Sequence, residues 1–312
     1  MNYIDYNKLK KQLDFKPKKS RLFLHIIEDL FLLFISLYLI RSNSLIAAVV
    51  GQIALAFFYF RSFTLMHDAV HGALLENSTW NHFFGYIYAS FCILPYRAWC
   101  DDHIQHHKWS GNVDMDPSMK IVKDFPKNSE FKNKIISFFW RSWIPLLGVI
   151  QYLVFWGSAF DRNKNSVKRV SSTFLQFVLI FGLLGSSSYF FGIGNIFLSL
   201  FFYLMIVEII NFPHHIGMGY RHKGSTDQKV FDQYSSARSC HYPKWFSFFA
   251  LNNFNYHIEH HMFPTLPWYE LLNARSLIKP ILNKKYNEVQ ANGWILKARS
   301  KNLGSILFER II

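Results

Sequence analysis

The sequence predicts an all-α integral membrane protein: four transmembrane helices in two hairpins, a cytosolic histidine-rich helical cap and interfacial helices. Three observations predict it. Four apolar runs approach or reach the roughly 20 helical residues that the hydrocarbon core requires. Charged residues make up only 17% of the chain, against roughly 25% in soluble domains. The excess of 34 Lys and Arg over 20 Asp and Glu gathers in tails and loops between the apolar runs, as at an anionic membrane surface, and no compact basic domain points to nucleic acid.

The N-terminal 21 residues are mixed in charge and precede no small-residue cleavage site, so they read as a retained cytosolic tail. Residues 22–40 and 45–63 form the first hairpin through RSNS, and residues 173–191 and 196–210 the second through GIGN. His25, Glu28 and Asp29 place the start of the first span at headgroup level. Runs 80–96 and 143–160 are apolar but are assigned as interfacial or re-entrant helices. The tail carries seven Lys or Arg and the DRNKNSVKRV linker four, whereas RSNS carries one and GIGN none, which puts both hairpin tips outside. Residues 265–312 mix Leu and Ile with eight Lys or Arg and read as a cytosolic basic segment lying on the membrane. The whole, 1–312, is expected to be a single domain. Cys92, Cys100 and Cys240 form no CxxC pair and read as reduced bystanders.

Eight of the 14 histidines fall in three groups: HDAVH (His67, His71), HIQHH (His103, His106, His107) and HIEHH (His257, His260, His261). On a helix, residues three or four apart share a face, so each group can aim its imidazoles at one point. At this histidine content HxxHH arises by chance roughly 0.03 times per chain, and it occurs twice. A fourth group, NFPHH, puts Asn211 four residues before His215; His214, adjacent to it, points elsewhere. The span assignment brings all four groups to the cytosolic side. His25, His82, His222 and His241 read as ordinary hydrogen-bonded residues. Neutral imidazole suits Fe, Zn, Cu or Ni, and eight or nine of them exceed what one ion holds, so two metals with open positions are implied. Asp68, Asp101, Asp102, Asp114, Asp116, Asn255 and Glu259 lie in or beside the motifs and are candidates to orient the ligands.

HDAVHG, HIQHHKWSGNVDMDP and NYHIEHHMFP, in this order after a helical hairpin, resemble the integral-membrane fatty acid desaturase family, from about His67 to Pro264. The resemblance implies a non-haem di-iron centre that uses O₂ and two electrons to remove two hydrogens from an acyl chain. Its two irons would be held by His67, His71, His103, His106, His107, His257, His260 and His261, with His215 as a further ligand and Asn211 acting through a water. No HPGG haem motif is present, so a separate donor, a ferredoxin or cytochrome b5 with its reductase, is implied, and a basic cytosolic surface suits an acidic carrier. Trp99, Trp109, Phe254 and Tyr256 are candidates to line an acyl tunnel. The site would face the cytosol from a bacterial inner membrane or the endoplasmic reticulum.

Two rival readings follow from the same residues. Related hydroxylases or ketolases acting on a carotenoid, sterol or alkane use similar histidine boxes. A membrane metal transporter or sensor would also gather imidazoles, but transport sites sit near the bilayer midplane on broken helices, whereas these groups lie at span ends.

Overall fold

The computed structural model describes residues 3–163, 166–218, 220–222 and 229–308. The helices in chain order are α1 (Tyr3–Lys10), α2 (Lys19–Ile40), α3 (Leu45–Val70), α4 (Ser78–Phe91), α5 (Tyr96–Trp109), α6 (Lys120–Asp124), α7 (Glu130–Arg141), α8 (Leu146–Asn163), α9 (Val167–Phe191), α10 (Ile193–His215), α11 (Lys244–Phe249), α12 (His257–Met262), α13 (Leu271–Leu282), α14 (Ala291–Arg299) and α15 (Leu303–Phe308). Two short strands, β1 (Ser239–His241) and β2 (Glu288–Gln290), pair in parallel with Ser239 opposite Glu288. Residues 1–2 of the tail, 164–165 of the basic linker and 309–312 of the C-terminal segment lie outside the described residues.

The chain divides into two compact units, each assembled from separate stretches of sequence. The membrane unit comprises Pro17–Cys100 and Gly148–Val207; the histidine unit comprises Met1–Lys16, Asp101–Leu147 and Glu208–Ile312.

Helices α2, α3, α9 and α10 are each long and apolar enough to cross a membrane, and the protein is a multi-pass membrane protein. The four expected spans are present with longer ends. Helix α3 continues past residue 63 to Val70, and α10 past residue 210 to His215. Hydropathy falls at the first polar residues, but the backbone N–H to C=O ladder does not depend on side-chain polarity and continues beyond them. Ser44, the last residue of RSNS, caps α3 by accepting from the Ala47 N–H. The run 80–96 is interrupted before Pro95, which disfavours helix at the residue preceding it, and becomes α4 and the start of α5. The run 143–160 falls largely in α8; α7 and α8 together pass as a fifth span only if the bent pair is counted as one.

Within the membrane unit, α2 turns Phe23, Phe31 and Phe34 outward, between 64% and 70% exposed, the face a span offers to hydrocarbon. Gly51 lets α2 and α3 approach: a Cβ there would meet the Ser36 carbonyl oxygen at 2.7 Å, the small-residue contact by which membrane helices pack. Toward the other end of this hairpin lies a buried charge network. The Arg61 guanidinium donates from Nε to Asp29 Oδ1 at 2.5 Å and from Nη2 to Glu28 Oε2 at 3.0 Å, with His25 Nε2 also 3.0 Å from Nη2. His25 is thus more than an ordinary headgroup-level residue; it belongs to a cluster in which Arg61, Asp29 and His25 are each at most 3% exposed.

In the histidine unit, the apolar core joins Met119, Val122 and Phe125 to Ile136 and Trp140 of α7, to Ile216, and to Trp294, Ile295, Leu303, Ile306 and Leu307. The C-terminal segment therefore differs from expectation. Most of the large apolar side chains of α14 and α15 are buried in this core and do not lie free for a membrane surface. Arg299 reinforces the arrangement, stacked 3.8 Å over the Trp140 ring and donating to Glu208 Oε2 at 2.7 Å. The N-terminal tail also packs here, with Tyr6 stacked on Phe263 and donating to the Met262 carbonyl.

Arg61→Leu leaves Asp29 buried without its cation, which costs about 3–5 kcal/mol. The expected outcome is a marked fall in the melting temperature of the detergent-purified chain, with Arg61→Lys intermediate. An unchanged melting temperature in Arg61→Leu refutes the network's stabilising role.

Candidate metal centre

Helix α5 carries His103, His106 and His107, and α12 carries His257, His260 and His261. Neither group aims all three rings at one point. On a helix, adjacent residues differ by about 100°, so the HxxHH spacing divides: residues i and i+4 turn to one side and i+3 to the other. His103 and His107 face each other with Nε2 atoms 3.1 Å apart, and His260 Nε2 lies 3.0 Å from His107 Nε2. His106 instead joins His257 and His261. Its Nε2 is 3.3 Å from His261 Nε2, which is 3.1 Å from His257 Nε2. His215, at the end of α10, completes this second set, its Nε2 2.9 Å from His257 Nε2. One nitrogen from each of these four lies within 4.8 Å of every other. The two sets abut, with the His107 and His261 rings stacked at 4.4 Å.

The donor set fits a transition metal. Two nitrogens bound about 2.1 Å from one ion lie roughly 3.0–3.4 Å apart at octahedral or tetrahedral angles, and the Nε2 separations match that range. Their protonation also fits. Burial, then the neighbouring His107, His257, His215 and His106, holds the His261 imidazole well below its ordinary range, leaving it neutral with a free lone pair.

Three of these imidazoles are oriented through their other nitrogen. His106 Nδ1 bonds Asp116 Oδ1 at 2.9 Å, His215 Nδ1 bonds the Ser236 carbonyl at 2.8 Å, and His261 Nδ1 bonds Gln233 Oε1 at 2.9 Å. Each partner is an acceptor, which places the proton on Nδ1 and turns Nε2 inward. Asp116 is fixed in turn. It caps the turn at Pro117 by accepting from the Ser118 N–H, and it accepts from Gly111 N and Ser118 Oγ. Burial acts to raise its pKa, but His106 and the Ser118 hydrogen bond outweigh it and hold the carboxyl below the ordinary range. Arg238 closes the end of α10, donating to the Pro213 and Ile216 carbonyls, and its backbone N–H bonds the His214 carbonyl, as a cation at a helix C-terminus does.

The remaining candidates are placed as follows. In the membrane unit, His67 and His71 have ring centroids 5.0 Å apart, His67 Nδ1 is 3.1 Å from Asp68 Oδ1, and Trp99 stands edge-on to His67. Asp101 and Asp102 are half-buried on α5. Asp114 faces Lys123 at 3.5 Å, the position of a solvated acid. Glu259 accepts from Ser239 Oγ at 2.7 Å and Tyr286 OH at 2.5 Å; it anchors α12 from behind and does not orient a ring. Asn255 does similar work, donating to the Cys240 carbonyl. Asn211 Oδ1 is buried without a hydrogen-bond partner among the described residues, which suits a group that meets a water. Phe254 packs on His257 and His214, whereas Trp109 lies under Lys108 and Tyr256 under Arg275. Gln233, Ser118, Ser236 and Arg238 are missed by the sequence reading. Asp-Pro at 116–117 signals a capped turn and singles out Asp116; nothing local marks Gln233, 28 residues from His261.

The sequence profile described as fatty acid desaturase matches residues 43–292. The omega-3 fatty acid desaturase of the endoplasmic reticulum of Vigna radiata var. radiata is 27% identical over 74% of this chain and 64% of its own length. The sn-1 acyl-lipid omega-3 desaturase (ferredoxin) of Synechocystis sp. is 26% identical over 72% and 65%, respectively. The acyl-lipid omega-3 desaturase (cytochrome b5) of the endoplasmic reticulum of Arabidopsis thaliana is 24% identical over 75% and 64%. The matched region spans just under two thirds of these relatives' length.

Asp116→Asn and Gln233→Leu are each expected to weaken ferrous-iron affinity about 10–100-fold, measured by chelator competition on the purified chain, while Asp114→Asn leaves it unchanged. Equal effects of Asp114→Asn and Asp116→Asn count against the assigned orientation.

Proposed function

The chain belongs to the fatty acid desaturase family, and from that premise we propose that it is a membrane-bound, O₂-dependent di-iron oxidoreductase that introduces a double bond into a fatty acyl chain. The observation that carries the reading is the convergence of Nε2 atoms in two adjoining sets. One ion is assigned His106, His215, His257 and His261. The other is assigned His103, His107 and His260, joined by His67 and His71 on the strength of the HDAVH motif. Asn211 is assigned a role through water. The names of the relatives favour desaturation over hydroxylation or ketone formation.

No side chain can break an unactivated methylene C–H bond, and bound iron would supply the required oxidising power together with O₂. In balance, two hydrogens leave adjacent carbons, two electrons and two protons arrive from outside, and O₂ becomes two waters. The protein's residues act around that chemistry. Asp116, the Ser236 carbonyl and Gln233 hold three imidazoles in the ligating tautomer. Burial of His257, His260 and His261, each at most 4% exposed, keeps bulk water from the ligand nitrogens, and Phe254 on His257 extends that apolar wall. We assign Trp99 and Phe254 to the acyl chain's surroundings, and the site to the cytosolic face of its membrane. The electrons are assigned to a separate ferredoxin or cytochrome b5 with its reductase, the donor types named for two relatives, drawn to a chain of net charge +14 by complementary charge.

Expression in a host lacking the activity, with mass analysis of lipids and pigments, is expected to yield an oxygen-dependent acyl product lighter by two hydrogens. A product heavier by one oxygen, or an altered pigment, overturns the reading. His106→Ala and His260→Ala are each expected to lose iron and turnover while inserting normally; full activity in either refutes its assignment as a ligand.

A further inference from the structure

Helix α7 has three distinct faces. Ile136 and Trp140, 7% and 1% exposed, pack into the core of the histidine unit. Phe131, Ile135 and Phe138, spaced i, i+4 and i+7, share another face and are 74%, 38% and 63% exposed. Trp143, 36% exposed, follows just past the helix end. Between these faces runs a polar edge bearing Lys134, Ser137 and Arg141, and Lys132 flanks the apolar face on its other side. An exposed aromatic stripe with basic flanks is the pattern of a helix lying in a membrane interface.

The polar edge opens onto a cleft of about 930 Å³, lined by Lys134, Ser137, Phe138 and Arg141 of α7 and by Ser300 and Asn302 of the C-terminal segment. Arg299 and Glu130 also line it. Glu130 pairs with Lys134 at 2.7 Å, both well exposed, and such a pair contributes little. Arg299 is held by Glu208. Arg141 has no ion-pair or hydrogen-bond partner among the described residues. With Lys134 paired to Glu130 and Arg299 to Glu208, Arg141 is the lining cation left to attract an anion, and the Ser137 hydroxyl and Asn302 amide can donate to phosphate oxygens.

We propose that this cleft binds the phosphate headgroup of an anionic phospholipid whose acyl chains lie along Phe131, Ile135 and Phe138. A phosphate-accepting floor that continues into an exposed apolar stripe matches one amphipathic ligand; an acidic protein surface would leave the stripe uncovered. The inference draws on the membrane fold and on α7 and stands apart from the reaction, so loss of the desaturation reading would leave it intact.

The test is native mass spectrometry of the full-length chain in detergent, titrated with phosphatidylglycerol or phosphatidylcholine of identical acyl chains. Phosphatidylglycerol is expected to bind more tightly. Arg141→Gln is expected to reduce that preference about fivefold, the effect of one cation at an anionic membrane surface, and Arg141→Lys to retain it. Equal binding of the two lipids, or a preference unchanged in Arg141→Gln, overturns the proposal. Displacement of phosphatidylglycerol by an equal concentration of inorganic phosphate would mark a small-anion site, and slower electron transfer from a carrier protein with lipid preference intact would mark a protein dock; either overturns it.

Discussion

Imidazoles gathered around one point repel one another when protonated, and the rest of the histidine unit follows from keeping them neutral and turned inward. Burial provides the neutrality, since desolvation disfavours the charged ring. It cannot provide the orientation, because a neutral imidazole may carry its proton on either nitrogen. The acceptors at Nδ1 decide that: the Asp116 carboxylate, the Ser236 carbonyl and the Gln233 amide oxygen. Gln233 also donates from Nε2 to the His107 carbonyl at 2.7 Å, so one side chain ties the second histidine box to the third.

Those acceptors must themselves be held, and this explains structure that looks remote from the site. The turn at 110–118 exists to fix Asp116, whose oxygens receive three donors besides His106. Helix α12 is only six residues long and gains little from its own ladder. Its register is set from outside, by Ser239 and Tyr286 on Glu259 and by Asn255 on Cys240. Burial raises the Glu259 carboxyl above its ordinary range despite those two bonds. The pairing of β1 with β2 brings the C-terminal segment into the same support, because Tyr286 lies just before β2.

The spans and the histidine boxes were legible because hydropathy and helical spacing are local properties. The division of labour within HxxHH was equally available from the 100° step between neighbours, yet the shared-face rule obscured it by treating three residues as one direction. Asp114 and Asp116 are the same residue type two positions apart, yet only Asp116 caps a turn, and Pro117 is the distinguishing sign. Gln233 and the Arg61 network depend on contacts made across 28 and 32 residues, which no window of sequence contains. Composition assigns the interfacial role to the basic C-terminal segment, whereas the three-dimensional arrangement buries most of the large apolar residues of α14 and α15 and leaves one apolar face of α7, Phe131, Ile135 and Phe138, exposed; both segments are basic and amphipathic, and only the core decides which faces turn inward.

A chain this apolar keeps few charges, and several of the buried ones fall into closed sets: Arg61 with Asp29, Glu28 and His25; Arg299 with Glu208 and Trp140; Asp116 with His106. The reason is energetic. An unpaired ion away from water costs several kcal/mol, so each retained charge needs a partner at hand or a surface that supplies one. Arg141 is different: it is exposed to solvent and pairs with no side chain among the described residues, at the end of a helix that locks another face into the core. Its position beside exposed aromatic side chains is intelligible if the partner comes from the membrane, since a headgroup phosphate would complete there what a carboxylate completes at Arg61 and Arg299.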